Sequence, residues 1–169
     1  MQYRGAVPEE YESIRKLLIE VGWEEHVRDD RQFQQMLENS DRTVVALEGL
    51  RIVGFARAIC DGVSNGYITM VAVSHDKRGR GVGGQMVETL IGNDPRIKWV
   101  LTSDRNSIEF WEKQGFRLLE RAMMKPRVLD GSHQKNTHSL TNKKTFKKFI
   151  WSLIRKIRNL ISRDLSKCL

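Results

Sequence analysis

VAVSHDKRGRGVGGQMVETL, residues 71–90, is the stretch from which the rest of the chain can be read. Val71, Ala72 and Val73 have the β-branched and small character of a strand end. Arg78 to Gly84, RGRGVGG, follows as a glycine-rich turn, and Met86, Val87, Leu90 and Ile91 then share one face at helical spacing. Strand, glycine turn and helix together form a geometry for holding phosphate. Bare N–H groups at a helix start point at the anion, and glycine lets the backbone approach with no Cβ in the way. Arg78 and Arg80 add charged donors, with a solvated surface turn as the alternative reading of both. The spacing is R-x-x-G-x-G, filled by Arg78, Gly81 and Gly83, and it is neither GxxxxGK[ST] nor GxGxxG.

Outward from this stretch the elements alternate. Met1–Val7 reads as a short strand. Pro8 with Glu9 and Glu10 opens a helix whose stripe is Ile14, Leu17, Leu18 and Val21, and Gly22 closes it. A loop follows from Trp23 to His26. Asp29 and Asp30 then start a second helix with Phe33, Met36 and Leu37 on one face. TVVAL (43–47) and IVGFARAIC (52–60) read as strands joined through Glu48, Gly49 and Leu50. DGVSNG (61–66) turns the chain into Tyr67–Val73. Pro95 ends the loop helix, IKWVL (97–101) is the next strand, and Asp104 can N-cap a helix bearing Ile108, Phe110 and Trp111. Gly115 stops that helix, and a last hairpin is expected from Phe116 through Leu118 and Leu119 to about Arg127. The fold class is α/β (α+β): a mixed, mostly antiparallel central sheet flanked by helices.

A second motif joins the glycine loop. SIEFWEKQGF, from Ser107 to Phe116, resembles the A-x-x-[FL]-Y-x-x-x-G-F helix and turn of the GNAT superfamily of N-acetyltransferases, whose acetyl-CoA loop the R-x-x-G-x-G after a V-x-V strand also resembles. The resemblance covers roughly residues 1–127. It implies direct transfer of acetyl from acetyl-CoA to an amine, with no covalent enzyme intermediate and no metal. On that resemblance, Met70, Val71, Ala72 and Val73 line the pantetheine arm. Arg78, Gly79, Arg80, Gly81, Val82, Gly83 and Gly84 hold the pyrophosphate.

The acid and base depart from the family pattern. Trp111 stands where the family often has a Tyr that protonates the departing thiolate, and an indole N–H is no useful acid. Asp104 aligns with the family's usual Asn, while Asn106 is out of register. The strand GYITMVAV lacks the carboxylate that frequently serves as base. Tyr67 could offer a phenol or position a water there, or be structural. Trp23, Glu24, Glu25 and Asp61 are loop candidates for the acceptor side, with carboxylates to attract a cationic amine, and Trp23 has a core plug as its alternative. Two functions follow: an N-acetyltransferase acting on a small molecule or protein amine, and a non-catalytic acetyl-CoA-binding module.

Composition and charge divide the chain further. Hydrophobic residues make up 40% and charged residues 30%, the balance of a soluble protein large enough for one sizeable core. Cys60 and Cys168 are too far apart in sequence for a disulfide scaffold and fit a reducing, cytoplasmic setting. No N-terminal signal and no apolar run of transmembrane length is apparent. Three segments are expected: a GNAT-like domain at 1–128, a polar linker at 129–142, and a basic amphipathic tail at 143–169. Solvated side chains are the reading for His133 and His138 in the linker.

The tail holds nine basic side chains against Asp164 alone, so the net charge of +8 belongs to it and the remainder is neutral. Phe146 to Ile161 place Phe, Ile and Leu at i, i+3, i+4 and i+7, with lysines and arginines outside that stripe. An anionic membrane surface satisfies both faces of such a helix. A groove on its own domain or on a second subunit, giving a homodimer, is the alternative. Nucleic acid is disfavoured, since a full face is apolar.

Overall fold

In the computed structural model the described residues are 1–120 and 122–125. Alternating apolar patterns and glycine-marked turns produce one five-stranded sheet. β1 (Gln2–Arg4), β2 (Arg42–Glu48), β3 (Arg51–Cys60), β4 (Asn65–Val73) and β5 (Lys98–Leu101) lie in that spatial order. The first three pairings are antiparallel and β4 with β5 is parallel. A parallel neighbour needs a crossover, and the chain between β4 and β5 supplies it as α3 (Val82–Ile91).

Helices cover both faces. α1 (Tyr11–Glu20) follows a single 3-10 turn at Pro8–Glu10, and α2 (Asp30–Glu38) starts where the Asp29 carboxylate accepts from the Gln32 N–H at 2.9 Å. Ile14, Leu18 and Phe33 from this pair meet Phe55, Met70 and Ala72 on one face of the sheet. On the other, Val82, Met86 and Leu90 of α3 meet Ala46, Ala56 and Ile68. Arg42 fixes the far end of α3 by donating to the carbonyls of Leu90 and Ile91, with its guanidinium over the Trp99 ring.

Two helix ends share one device. The N–H of Gly22 donates to Ile19 and that of Trp23 to Leu18; likewise Gly115 donates to Glu112 and Phe116 to Trp111. Each is a helix stop with a left-handed glycine followed by an apolar residue that folds back on the helix. This sets the expected hairpin aside where it can be seen. Phe116 is turned back on to α4 (Ile108–Lys113), so residues 116–119 form no strand, and Leu118 and Leu119 are exposed. The rest of that hairpin falls partly on Arg121, Pro126 and Arg127, outside the described residues. The linker at 129–142, with His133 and His138, and the tail at 143–169, with Cys168, also lie outside them.

No helix among the described residues is long and apolar enough to cross a membrane.

Candidate functional site

The site begins with a miscount between two strands. Arg57 pairs with Met70 and Ala58 with Ile68, so Thr69 is an extra residue in β4. Such a bulge moves the following side chains to the opposite face. Ile68 therefore packs under α3, whereas Met70 and Ala72 pack under α1 and α2. The parallel pairing of β4 with β5 covers only Asn65–Ile68 against Lys98–Leu101 and ends at the same place. From Thr69 to Val73, the edge of β4 that faced β5 has no strand partner among the described residues. Met70, Val71, Ala72 and Val73, the expected pantetheine residues, all lie on this open edge.

The glycine loop stands at the end of that edge. Two charged links tie its approach to the β2–β3 hairpin: Arg51 with Asp76 at 2.9 Å and Lys77 with Glu48 at 2.6 Å. Asp76 is held at about 2 by hydrogen bonds from Arg51 and from the buried Ser74 hydroxyl. Arg78 Nε reaches back to the Val73 carbonyl at 3.2 Å, and exposed Arg80 pairs with no described residue. Gly79 and Gly81 have positive φ, 71° and 78°, which an L side chain adopts only with strain. Gly81 is the N-cap of α3 and has no capping side chain, leaving the first N–H groups of Val82, Gly83 and Gly84 unbonded by any described residue.

Gly83 is where three elements meet. A Cβ there would stand 3.3 Å from the Phe110 ring and 3.6 Å from Val73 Cγ2. The open end of β4, the uncapped start of α3 and α4 thus converge on one small cradle. Free amides, two nearby arginines and a free strand edge suit a phosphate group joined to an extended amide-bearing arm.

Trp111 does not stand free at this site. Its ring lies edge-on to Phe110 at 4.9 Å and to Phe116 at 5.3 Å, within the aromatic cluster that stops α4. The Asp104 carboxylate accepts from the N–H groups of Asn106 and Ser107, capping the turn that leads into α4. The Tyr67 hydroxyl lies 3.0 Å from Thr102 Oγ1 across the β4–β5 seam, two residues before the bulge, and the ring is 41% exposed.

The acceptor-side expectations scatter. Trp23 follows the stop of α1 and packs against its core, with His26 beside it. Glu24 is exposed, and Glu25 accepts from Arg28 at 2.6 Å. Asp61 is engaged within its own turn. Its carboxylate accepts from the N–H groups of Val63, Ser64 and Asn65 and from the Ser64 hydroxyl, which holds it far below the ordinary carboxylate range. It closes the β3–β4 turn and stays exposed there.

Sequence reading passed over Arg57 and Thr69. A lone arginine inside the apolar run IVGFARAIC was the available signal for the first; nothing local announces the bulge. Among the described residues no three His, Cys, Asp or Glu gather to share a metal ion. A shallow cavity of about 230 Å³ beside Lys16, Glu20, Leu50 and Arg51 contains none of the candidate cofactor or acceptor residues.

Comparison with known proteins identifies the family and the fold. Residues 10–129 match the family model described as an acetyltransferase (GNAT) domain. A GNAT family acetyltransferase from Streptococcus pneumoniae TIGR4 superposes with a TM-score of 0.64 at 21% identity, covering 77% of this chain and 97% of that one. A Trypanosoma brucei acetyltransferase gives 0.58 at 26% identity, covering 75% and 99%. An aminoglycoside acetyltransferase from an uncultured soil metagenomic sample gives 0.60 at 21%, covering 75% and 98%. In sequence, the tRNA(Met) cytidine acetyltransferase TmcA of Saccharolobus islandicus is 29% identical over 106 residues, 60% of this chain but 14% of that protein. The family model spans well over half of the chain, and the five-stranded sheet flanked by helices has the matching fold: this chain belongs to the GNAT family of acetyltransferases.

Proposed function

We propose that the protein moves acetyl from acetyl-CoA directly to a primary amine of a small molecule or a protein. The observation that carries this reading is the parting of β4 from β5 at Thr69, next to the uncapped start of α3. An extended arm with amides can pair along Thr69–Val73 while phosphate oxygens accept from the N–H groups of Val82, Gly83 and Gly84. Arg78 and Arg80 supply positive charge at the same end. When bound, acetyl-CoA supplies a thioester carbon: the C–N bond forms, the C–S bond breaks, and the proton lost by the amine nitrogen balances the one taken up by the thiolate.

The chain's own contribution is position. Holding an amine against a fixed thioester is worth as much as or more than a proton-transfer group, which contributes about 10²–10⁴-fold. That ordering matters because Trp111 offers no acid and β4 no carboxylate. The Tyr67 hydroxyl, steadied by Thr102, is the polar group beside the bulge that can orient a water or the amine. The relatives' names range from a tRNA cytidine to aminoglycosides as acceptor, so membership alone leaves the acceptor open.

A second reading has one observation in its favour. Trp111 is locked in the aromatic cluster at the family's Tyr position, as in a module that binds acetyl-CoA without turning it over. Thiol release from acetyl-CoA with polyamines, aminoglycosides, amino acids and lysine peptides separates the two. Acceptor-dependent release supports transfer. CoA binding without release by any acceptor supports the binding module.

A further inference from the structure

Arg57 is a largely buried residue of the sheet, and no carboxylate pairs with its guanidinium. The residue is 8% exposed, and it faces the α1–α2 side from the middle of β3. Its Nε donates to Ser40 Oγ just after α2, and Nη1 donates to Thr69 Oγ1 on the bulge at 2.9 Å. Both acceptors are neutral hydroxyls, and Nη2, which has no partner among the described residues, is not sealed from solvent. Asp41 is near enough for its charge to be felt, but its carboxylate accepts from the Cys60 N–H at 2.9 Å and forms no ion pair with Arg57. A buried charge without a counter-ion is costly, and proteins ordinarily pair it.

The setting is otherwise apolar and open. Ile59, Tyr67 and Val100 stand side by side on β3, β4 and β5, since Ile59 pairs with Tyr67 and Tyr67 with Val100. Ile68, Trp99 and Leu101 on these strands turn to the α3 side, so this row points the other way, and all three members are exposed. Arg57 is two residues from Ile59 on β3. One patch thus joins a fixed guanidinium, an apolar row and the point where β4 parts from β5.

We propose that Arg57 receives the carboxylate of the acceptor, which makes the substrate class an amine that also bears a carboxylate, with its apolar part against Ile59, Tyr67 and Val100. The inference rests on the amine acetylation proposed above. Arginine suits this role because its planar fork matches a carboxylate and its charge persists at working pH. Ser40 and Thr69 fix the fork from two elements, so little rotamer freedom remains to be lost on binding. The bulge that frees the strand edge also supplies Thr69, which brings the acceptor's anion and the thioester to neighbouring points of one strand.

The test is acetyl-CoA-dependent thiol release with L-phenylalanine and L-leucine against their primary amides, and with phosphoethanolamine. The full chain should show kcat/KM at least about 10-fold higher for the acids than for the amides, the effect of a charge-assisted hydrogen bond. In folded Arg57→Gln that ratio should fall to about one. Equal rates for acid and amide, a preference surviving in Arg57→Gln, or a clear preference for phosphoethanolamine would each overturn the proposal. A binding measurement covers a variant that fails to fold or a chain that acetylates none of these amines. With CoA present, calorimetry on the wild-type chain should show N-acetyl-L-phenylalanine binding at least about 10-fold tighter than N-acetyl-L-phenylalaninamide. No difference there overturns the role of Arg57, while absent turnover with that difference intact counts against transfer alone.

Discussion

Arg57 and Thr69 are bound to each other twice. The guanidinium Nη1 donates to Thr69 Oγ1 at 2.9 Å, and that same hydroxyl donates to the Arg57 carbonyl at 3.1 Å. A bulged residue has lost its place in the ladder, and here its side chain restores the link to the neighbouring strand. Thr69→Val keeps the β-branched shape and removes both hydrogen bonds. It should cost about 1–3 kcal/mol in urea unfolding, since a buried charged donor loses one of its acceptors. Thr69→Ser should recover most of that loss. A Val variant as stable as wild type would mean that the bulge is held by packing.

The glycine loop should respond to conformation as well as to charge. Nothing lies within 4 Å of a Cβ built on Gly81, so no clash opposes an alanine, yet φ there is 78°. Gly81→Ala should therefore destabilise the chain by about 1–2 kcal/mol through strain alone. Relief by rotation would turn the N–H groups that follow, so CoA affinity by calorimetry should fall together with stability. Unchanged affinity would show that those amides do not contact the ligand.

Trp111→Tyr supplies the side chain that the family often carries at this position. Its ring would enter the cluster of Phe110 and Phe116 that stops α4, and would inherit that packing more readily than a catalytic task. The variant should release thiol no faster than wild type in steady-state kcat. A clear rise would show that protonation of the thiolate limits the wild-type enzyme.

What the sequence disclosed follows its local physics. The glycine loop was legible because positive φ demands glycine at Gly79 and Gly81, and the helix stops because Gly22 and Gly115 mark them. The strands were legible from their apolar runs. The bulge was not, because Ile68, Thr69 and Met70 are all ordinary strand residues and the extra one shows only against the register of β3. Gly66 reads as the end of a turn, but it lies inside β4, where a Cβ would overlap the Trp99 ring of β5. Asp61 shows what the sequence leaves unsaid about a turn. A loop carboxylate has the charge to attract an amine, and only the structure shows three backbone N–H groups already using it. The strand expected from Phe116 is absent at residues 116–119 because the apolar residue that suggested it is the one that folds back on to Trp111.

The sequence of residues 146–161 carries its own prediction. Sixteen residues are marginal as an isolated helix in water, so an apolar stripe flanked by lysine and arginine needs a surface. We propose an anionic membrane as that surface, with each basic residue near it worth about 1 kcal/mol. The full chain should co-sediment with anionic vesicles at low salt, less at high salt, and little with neutral ones. A chain ending at Asp130 should stay in solution. Equal binding by both chains, or none by the full chain, would remove the proposal.

Acid should loosen the anchor of the glycine loop before the core. The Asp76 carboxylate sits at about 2, against 3.8 for an ordinary aspartate, because Arg51 and then Ser74 donate to it. A carboxylate depressed in the folded state stabilises fully above its unfolded value, and the contribution is lost as pH falls through the folded one. The window is therefore from about pH 4 down to about pH 2. Asp76→Asn should be less stable than wild type at neutral pH, and should lose less additional stability across that window. Its curve of unfolding free energy against pH should converge on the wild-type curve from below as the acid limit is approached. Glu48, lowered first by its hydrogen bond from Lys77, acts in the same direction nearby, so the wild-type slope should not vanish entirely in the variant. Parallel curves for the two proteins would show that the Arg51–Asp76 pair, half exposed at the surface, is screened too well by solvent to hold the loop.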